Sequence, residues 1–288
     1  MKVSCLILTF NEEINIDRCL TALDWCDDIV IVDSGSTDQT IPIAQQHGAR
    51  VIYRSFDNFA AQRNHGLAYG DINNDWVLHL DADEVVTPEL RDLITAMRPE
   101  DTIDGYFVPS KTILHDQWLK HAGMYPTYQA RLGHRERLRF IQVGHGQRED
   151  VPPSRMSQIE EPYLHYSFSH GLRQWLEKHV RYADDEASLI AEIRSNTHAF
   201  YKPIAGDKAS ERRSAKVKAA SIPLVLRPFA RFLYVYLLRQ GFRDGRAGFL
   251  YAFMLAVYEG MTAVLAAEQL RRSITEDAGK CSGKETRE

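Results

Sequence analysis

The chain has 288 residues, 44% of them hydrophobic and 10% aromatic, enough for one large domain or a domain with an appendage. Its formal net charge of −4 argues against an electrostatically driven nucleic-acid binder. Cys5, Cys19, Cys26 and Cys281 lack metal-type spacing and read as reduced thiols of a cytosolic protein.

Residues 3–10 form a near-continuous apolar run, the pattern of a strand buried on both faces. Asn11-Glu12-Glu13 interrupts that run too early for a secretory signal and opens a predicted helix ending near Leu23. A second buried strand, 29–32, ends at Asp33. The hydroxyl-rich turn 34–38 follows, with Ser36 and Gln39 spaced as a capping box for a helix that stops at Gly48. A third strand spans 50–53, a helix with Arg63, Asn64 and His65 spans 59–69, and a fourth strand ends at Asp81. Pro88 opens a helix to about Met97, and 105–109 reads as a strand. Residues 111–135 read as irregular, 137–143 as a strand and 144–150 as a loop. Ser169 is placed to cap a long helix to about Ile193, with Leu172, Trp175, Leu176, Val180, Ala183, Ala187 and Ile190 on one stripe.

Strands alternating with helices predict an α/β domain with a mostly parallel sheet, whose ligands bind outside the carboxyl ends of the strands. Those ends carry Thr9-Phe10-Asn11-Glu12, Asp33-Ser34 and Asp81-Ala82-Asp83. Asp81 and Asp83 would lie on one side of an extended backbone, roughly 6–7 Å apart. Hard divalent cations take oxygen ligands of this kind and complete their shell with water and substrate phosphates. An acidic strand-to-loop turn that is merely solvated is the alternative.

Residues 3–13, 32–38, Arg63-Asn64 and 80–84 together resemble, in order and spacing, the family-2 glycosyltransferases. The resemblance covers about the first 110 residues. It implies a GT-A fold (Rossmann-like), a nucleotide-diphosphate sugar donor with UDP favoured, Mg²⁺ or Mn²⁺, and inversion at the anomeric carbon. Short motifs around 128–185 are similar to bacterial enzymes of lipopolysaccharide-core or envelope-glycan synthesis. By that resemblance Thr9, Phe10, Asn11 and Glu12 line the nucleotide pocket with Ser34 and Ala82, Asp33 meets the base, and Arg63 lies near the nucleotide. Asp83 holds the metal, Asp81 faces the ribose or the metal shell, and His165 completes that shell. The acceptor's base ranks Glu149 first, Asp150 second and His145 third, with a solvated acidic turn as the alternative. Lys178 and Arg181 share a helix face and are candidates for the diphosphate.

From Ile222 the composition shifts. Residues 249–267 carry Glu259 as their only charge and would span about 28 Å as a helix. Arg227, Arg231, Arg239, Arg243 and Arg246 would lie within an arc of about 160° on an unbroken helix, which Gly241 and Gly245 disfavour. A membrane-surface anchor over 222–272, a helix pair packed on the domain or on a second copy, and a spanning helix all remain open. The expected domains are 1–200 for transfer, 201–276 for the carboxyl-terminal helices, and 277–288 as a polar tail. The expected partners are the donor and a glycan or lipid-linked acceptor at the cytoplasmic face of a membrane, without nucleic acid. A metal-dependent nucleotidyltransferase is disfavoured because no lysine-bearing glycine-rich loop follows the first strand. A non-catalytic sugar-nucleotide sensor is the third reading.

Overall fold

A computed structural model describes residues 1–143, 146–195 and 222–282. The chain divides into two compact units, Met1–Ser169 and His170–Glu288.

In the first unit, β1 (Ser4–Thr9), β2 (Ile29–Asp33), β3 (Arg50–Tyr53) and β4 (Trp76–Asp81) alternate with α1 (Ile16–Thr21), α2 (Thr40–Gln46) and α3 (Phe59–Tyr69). These strands make the parallel half of a sheet, in the order β3-β2-β1-β4. They are apolar on both sides, so both faces need cover. Ile7, Ile31, Leu78 and Leu80 join Ile16 and Leu20 of α1 in the principal core. Leu6, Val30, Val32 and Val77 form a second cluster on the opposite face, where α3 packs. Gly66 of α3 lies so close to the sheet that a Cβ there would collide with Leu6 and Val32.

The other half contains β5 (Glu84–Val86), α4 (Pro88–Ala96), β6 (Gly105–Leu114), β7 (Gln117–Trp118) and β8 (Thr127–His134). β9 (Phe140–Val143), β10 (Gly146–Glu149), β11 (Met156–Gln158) and β12 (Tyr163–His165) follow. β8 runs antiparallel between β4 and β6, while β12 lies between β6 and β5. β9 and β10 make a separate hairpin against α3. The α/β class and the mostly parallel sheet are as expected: β1 to β4 pair in parallel, and so does β6 with β11 and β12, while β8, β5 and β7 pair antiparallel. The short connection from β6 to β7 permits only an antiparallel neighbour, whereas the long return from β6 to β12 permits a parallel one.

Several local expectations change. The first helix begins at Ile16 because Asn11 takes a left-handed conformation (φ 54°) that no helix continues. Ser36 does not cap α2; its hydroxyl bonds Asp33 and accepts the Asn11 N–H. The segment read as irregular holds β7, β8 and the end of β6, and the loop read after Val143 contains β10. His145 lies outside the described residues. Ser169 donates to the Tyr166 carbonyl and accepts from Arg18.

The second unit contains α5 (Gly171–Ser195), α6 (Arg227–Leu233) continued by a π turn at Tyr234–Leu238, a 3₁₀ turn at Gly241–Asp244, and α7 (Gly245–Ser282). α5 thus falls with the carboxyl-terminal unit and not with a 1–200 domain. Its distal stripe explains this: Ala187 and Ile190 pack on Ala266, while Leu176 and Val180 stay exposed. α7 runs past the start of the expected tail to Ser282. The expected break in the arginine helix falls at Gln240–Gly245, where both ends take positive φ. Gly248 allows the turn to fold back, since a Cβ there would meet the Gly241 carbonyl. Arg227 turns inward and grips Glu259 through Nε at 3.0 Å and Nη2 at 2.7 Å. Gly241–Arg272 is long enough to cross a membrane and contains an 18-residue window with a mean hydropathy of 1.6.

Candidate active site

The ends of β1 and β2 are tied together. Asp33 is buried and accepts from the Thr9 hydroxyl, from the Gly35 and Ser36 N–H groups at 2.8 Å, and from the Ser36 hydroxyl. Four donors fill a carboxylate that has about four lone-pair sites. Asp33 therefore holds its own turn and is not left as a free acceptor for a base, as the resemblance implied. Asn11 joins the same turn, accepting the Thr37 N–H at 2.8 Å, and the Glu12 N–H donates to Thr40 at 2.7 Å. Phe10 is left 57% exposed at this edge, a bare aromatic face. Ser34 accepts from Gln62 of α3 at 3.0 Å.

The end of β4 is a buried charge network. One Asp81 oxygen accepts from Arg63 and the other from Arg131, each at 2.7 Å. Arg131 also grips Glu84 at 2.5 Å, and Glu84 in turn accepts the Asp81 N–H at 3.0 Å. Burial opposes the Asp81 charge, but Arg131 and then Arg63 outweigh it and hold the carboxyl well below its usual range. Burial lowers Arg63 to about 10, against the pull of Asp81. Burial lifts Glu84 above its usual value despite Arg131. Asp81 is thus engaged as an anchor through one donor on each oxygen, and it stays one third exposed. Arg131 and Glu84 escaped the sequence reading because a lone Arg in a polar stretch and a third carboxylate in an acidic turn give no signal.

Ala82 is buried, and Asp83 faces His165 across β5 and β12, with Oδ2 and Nε2 3.3 Å apart. Burial would lower His165, but Asp83 and then Glu84 and Asp81 raise it to about 9. Among the described residues no group of three acidic, His or Cys side chains could enclose a metal. As they stand the two form a carboxylate–imidazolium pair, each a quarter exposed; they would hold a cation only once the imidazole gave up its proton, with diphosphate oxygens and water completing the shell.

The β9–β10 hairpin carries the base candidates. Asn64 of α3 grips Phe140 on both sides, donating to its carbonyl at 2.8 Å and accepting its N–H at 3.0 Å. Glu149 is paired with Phe140 in the hairpin, so Asn64 sets its position. Glu149 is half-buried and Asp150 exposed; among the described residues neither forms an ion pair. His79 packs edge-on to Phe140 at 4.9 Å, and neither of its ring nitrogens has a partner. Burial, reinforced by Arg63 and Arg131, keeps His79 neutral. Lys178 and Arg181 are exposed on α5 in the second unit, with Lys178 5.7 Å from the Tyr182 ring.

Residues 4–149 match the family model "Glycosyl transferase family 2". The chain is 26% identical over 269 residues to the lipopolysaccharide core biosynthesis glycosyltransferase LpsC of Rhizobium meliloti, covering 91% of each. It is 35% identical over 106 residues to an uncharacterized glycosyltransferase of Rickettsia bellii, covering 36% of this chain and 35% of that one. It thus spans about a third of the length of that relative. Glucosyl-3-phosphoglycerate synthase of Mycobacterium tuberculosis superposes with a TM-score of 0.43 at 19% identity, over 58% of this chain and 72% of that one, too loosely to bear on substrate. A match over half of the chain, spanning the four strand ends and the Glu149 hairpin, makes this protein a member of glycosyl transferase family 2.

Proposed function

We propose that the protein transfers a sugar, with inversion, from a UDP-sugar to a hydroxyl of a bacterial envelope glycan such as the lipopolysaccharide core. The observation that carries this is the pairing of Asp83 with His165 at 3.3 Å on the sheet edge that also bears the Asn64-locked Glu149 hairpin. The likeness to LpsC over 91% of both chains supports the envelope-glycan acceptor.

In this reading Phe10 offers its exposed face to the base, within the pocket of Thr9, Asn11, Glu12 and Ser34. Asp83 and His165 hold Mg²⁺ or Mn²⁺, which when bound offsets the charge of the departing diphosphate. Glu149 takes the proton of the acceptor hydroxyl, whose oxygen bonds the anomeric carbon as the bond to the diphosphate oxygen breaks. Asp81, Arg63, Arg131 and Glu84 fix the loop on which Asp83 sits.

The second unit serves, in the same proposal, to dock the enzyme on the inner face of the cytoplasmic membrane. Phe229, Leu233, Leu237, Leu238, Phe242, Phe249 and Phe253 are at least half exposed there. Arg231, Arg239, Arg243 and Arg246 border them and form no ion pair among the described residues, so they match anionic lipid headgroups.

Incubation with labelled UDP-sugars and Mn²⁺ tests the reaction. Free sugar and UDP mark a transferase, pyrophosphate a nucleotidyltransferase, and binding without turnover a sensor. Asp83→Ala should lower turnover roughly 10³-fold or more and abolish Mn²⁺-enhanced UDP binding, since charge stabilisation by a cation is worth several kcal/mol. Glu149→Gln should cut transfer roughly 10²–10⁴-fold with UDP affinity nearly unchanged. Full activity in Asp83→Ala would remove the metal assignment; an effect in Asp150→Asn but not in Glu149→Gln would move the base.

A further inference from the structure

The β6–β7 hairpin brings two lysines to one tryptophan ring. Ile113 pairs with Trp118 and Leu114 with Gln117, and the Leu119 N–H reaches the Thr112 carbonyl at 2.9 Å. The chain then leaves the strand, the Lys120 N–H turning back to the Trp118 carbonyl at 3.1 Å. Both ammonium groups lean on the Trp118 ring, 4.7 and 5.5 Å from its centre. Tyr125 meets the same ring edge-on at 5.1 Å. Among the described residues neither lysine has an ion-pair partner, and the buried Trp118 indole N–H has no hydrogen-bond partner. Glu160 and Glu161 act on Tyr125 from nearby, without bonding either lysine.

The position matters as much as the chemistry. Tyr106 and Val108 of β6 face the principal core, so alternation turns Phe107, Pro109 and Lys111 to the other face. That is the face of His79 and Asp81, of α3, and of the hairpin that carries Glu149. Leu78 is level with Leu132 on β8, and Ser110 with Thr127. Lys111 therefore lies beyond the carboxyl end of β4, one strand position from Thr112, the partner of His165.

We infer that Lys111, Lys120 and Trp118 form an acceptor subsite for an anionic sugar. The exposed part of the Trp118 ring would stack on a pyranose, the two ammonium groups meeting a phosphate or carboxylate carried by that sugar. The shared chemistry is a sugar with an anionic substituent. The inference rests on the transferase reading and narrows its acceptor class.

The test is a titration of the full-length protein followed by tryptophan fluorescence, with UDP and Mn²⁺ present. The probes are glucose 6-phosphate, glucuronic acid, glucose and inorganic phosphate. Either anionic sugar should give a saturable change that glucose and phosphate alone do not, and the stronger of the two identifies the substituent. Lys111→Gln/Lys120→Gln should weaken that binding roughly ten-fold or more, as expected for loss of hydrogen bonds to a charged group, and Trp118→Phe should remove the signal. UDP binding should be unchanged in both variants. Equal binding of glucose and glucose 6-phosphate, or an unchanged affinity in the lysine variant, would overturn the subsite while leaving the donor reading intact. Failure of UDP itself to bind would instead sink the transferase reading.

Discussion

The two units bury charge for different ends. In the first, Arg63, Asp81, Arg131 and Glu84 form a chain behind the reactive edge, with both guanidinium groups wholly buried. In the second, Arg227 pairs with Glu259 and so neutralises the one charge of residues 249–267. The chain of four fixes a backbone turn, because Glu84 also accepts the Asp81 N–H. The single pair fixes no turn; it leaves the outer faces of α6 and α7 to aromatic and aliphatic side chains. Burying ions costs desolvation in both places. One network positions a site, and the other clears a surface of charge.

The comparison is broken most sharply at Arg131. Arg131→Leu should destabilise the protein by about 3–5 kcal/mol, since it strands Asp81 and Glu84 without their shared cation. Urea unfolding followed by circular dichroism measures this; a loss under about 1 kcal/mol would mean that the network is not an anchor. Arg227→Leu should cost less, about 1–3 kcal/mol, because Glu259 keeps 19% exposure and can reach water. Pairing it with Glu259→Leu should recover most of that loss, as apolar replacement of a buried ion pair often does. If the double variant is as unstable as the single one, the pair has a structural role beyond neutralisation. The smallest effect per residue concerns lipid. Each of Arg231, Arg239, Arg243 and Arg246 should add about 1 kcal/mol to binding of anionic vesicles. Co-sedimentation with and without phosphatidylserine reads this, with partial release by salt and full release by mild detergent. Protein that stays in the supernatant in both cases would leave the exposed face to a second subunit.

The first half of the fold was legible because buried parallel strands write themselves as apolar runs, and the strand ends at Thr9, Asp33 and Asp81 were visible from sequence. The pairing of Asp83 with His165 was anticipated through resemblance, since 82 residues separate them. What stayed hidden depends on contacts across the chain. β8 carries Gln129 and Arg131 where alternation should show apolar residues, since one face serves the charge network. Asp33 and Asp81 were singled out as ligand contacts; in the fold Asp33 is filled by its own turn and by Thr9, and Asp81 is also gripped by Arg63 and Arg131. Residue type announces an acceptor; only geometry says who donates to it.

Gly66 sets a thickness. The missing side chain lets α3 rest directly on Leu6 and Val32, and one turn away the same helix carries Gln62, Arg63 and Asn64. Those three reach Ser34, Asp81 and Phe140, one for each strand-end cluster or hairpin of the site. A methyl group at 66 would act as a shim, lifting all three reaches together. In a map of mutational tolerance this position would therefore behave like a reactive residue while touching no substrate. The sensitivity of such a site to change is partly a property of how far its scaffold stands from the sheet.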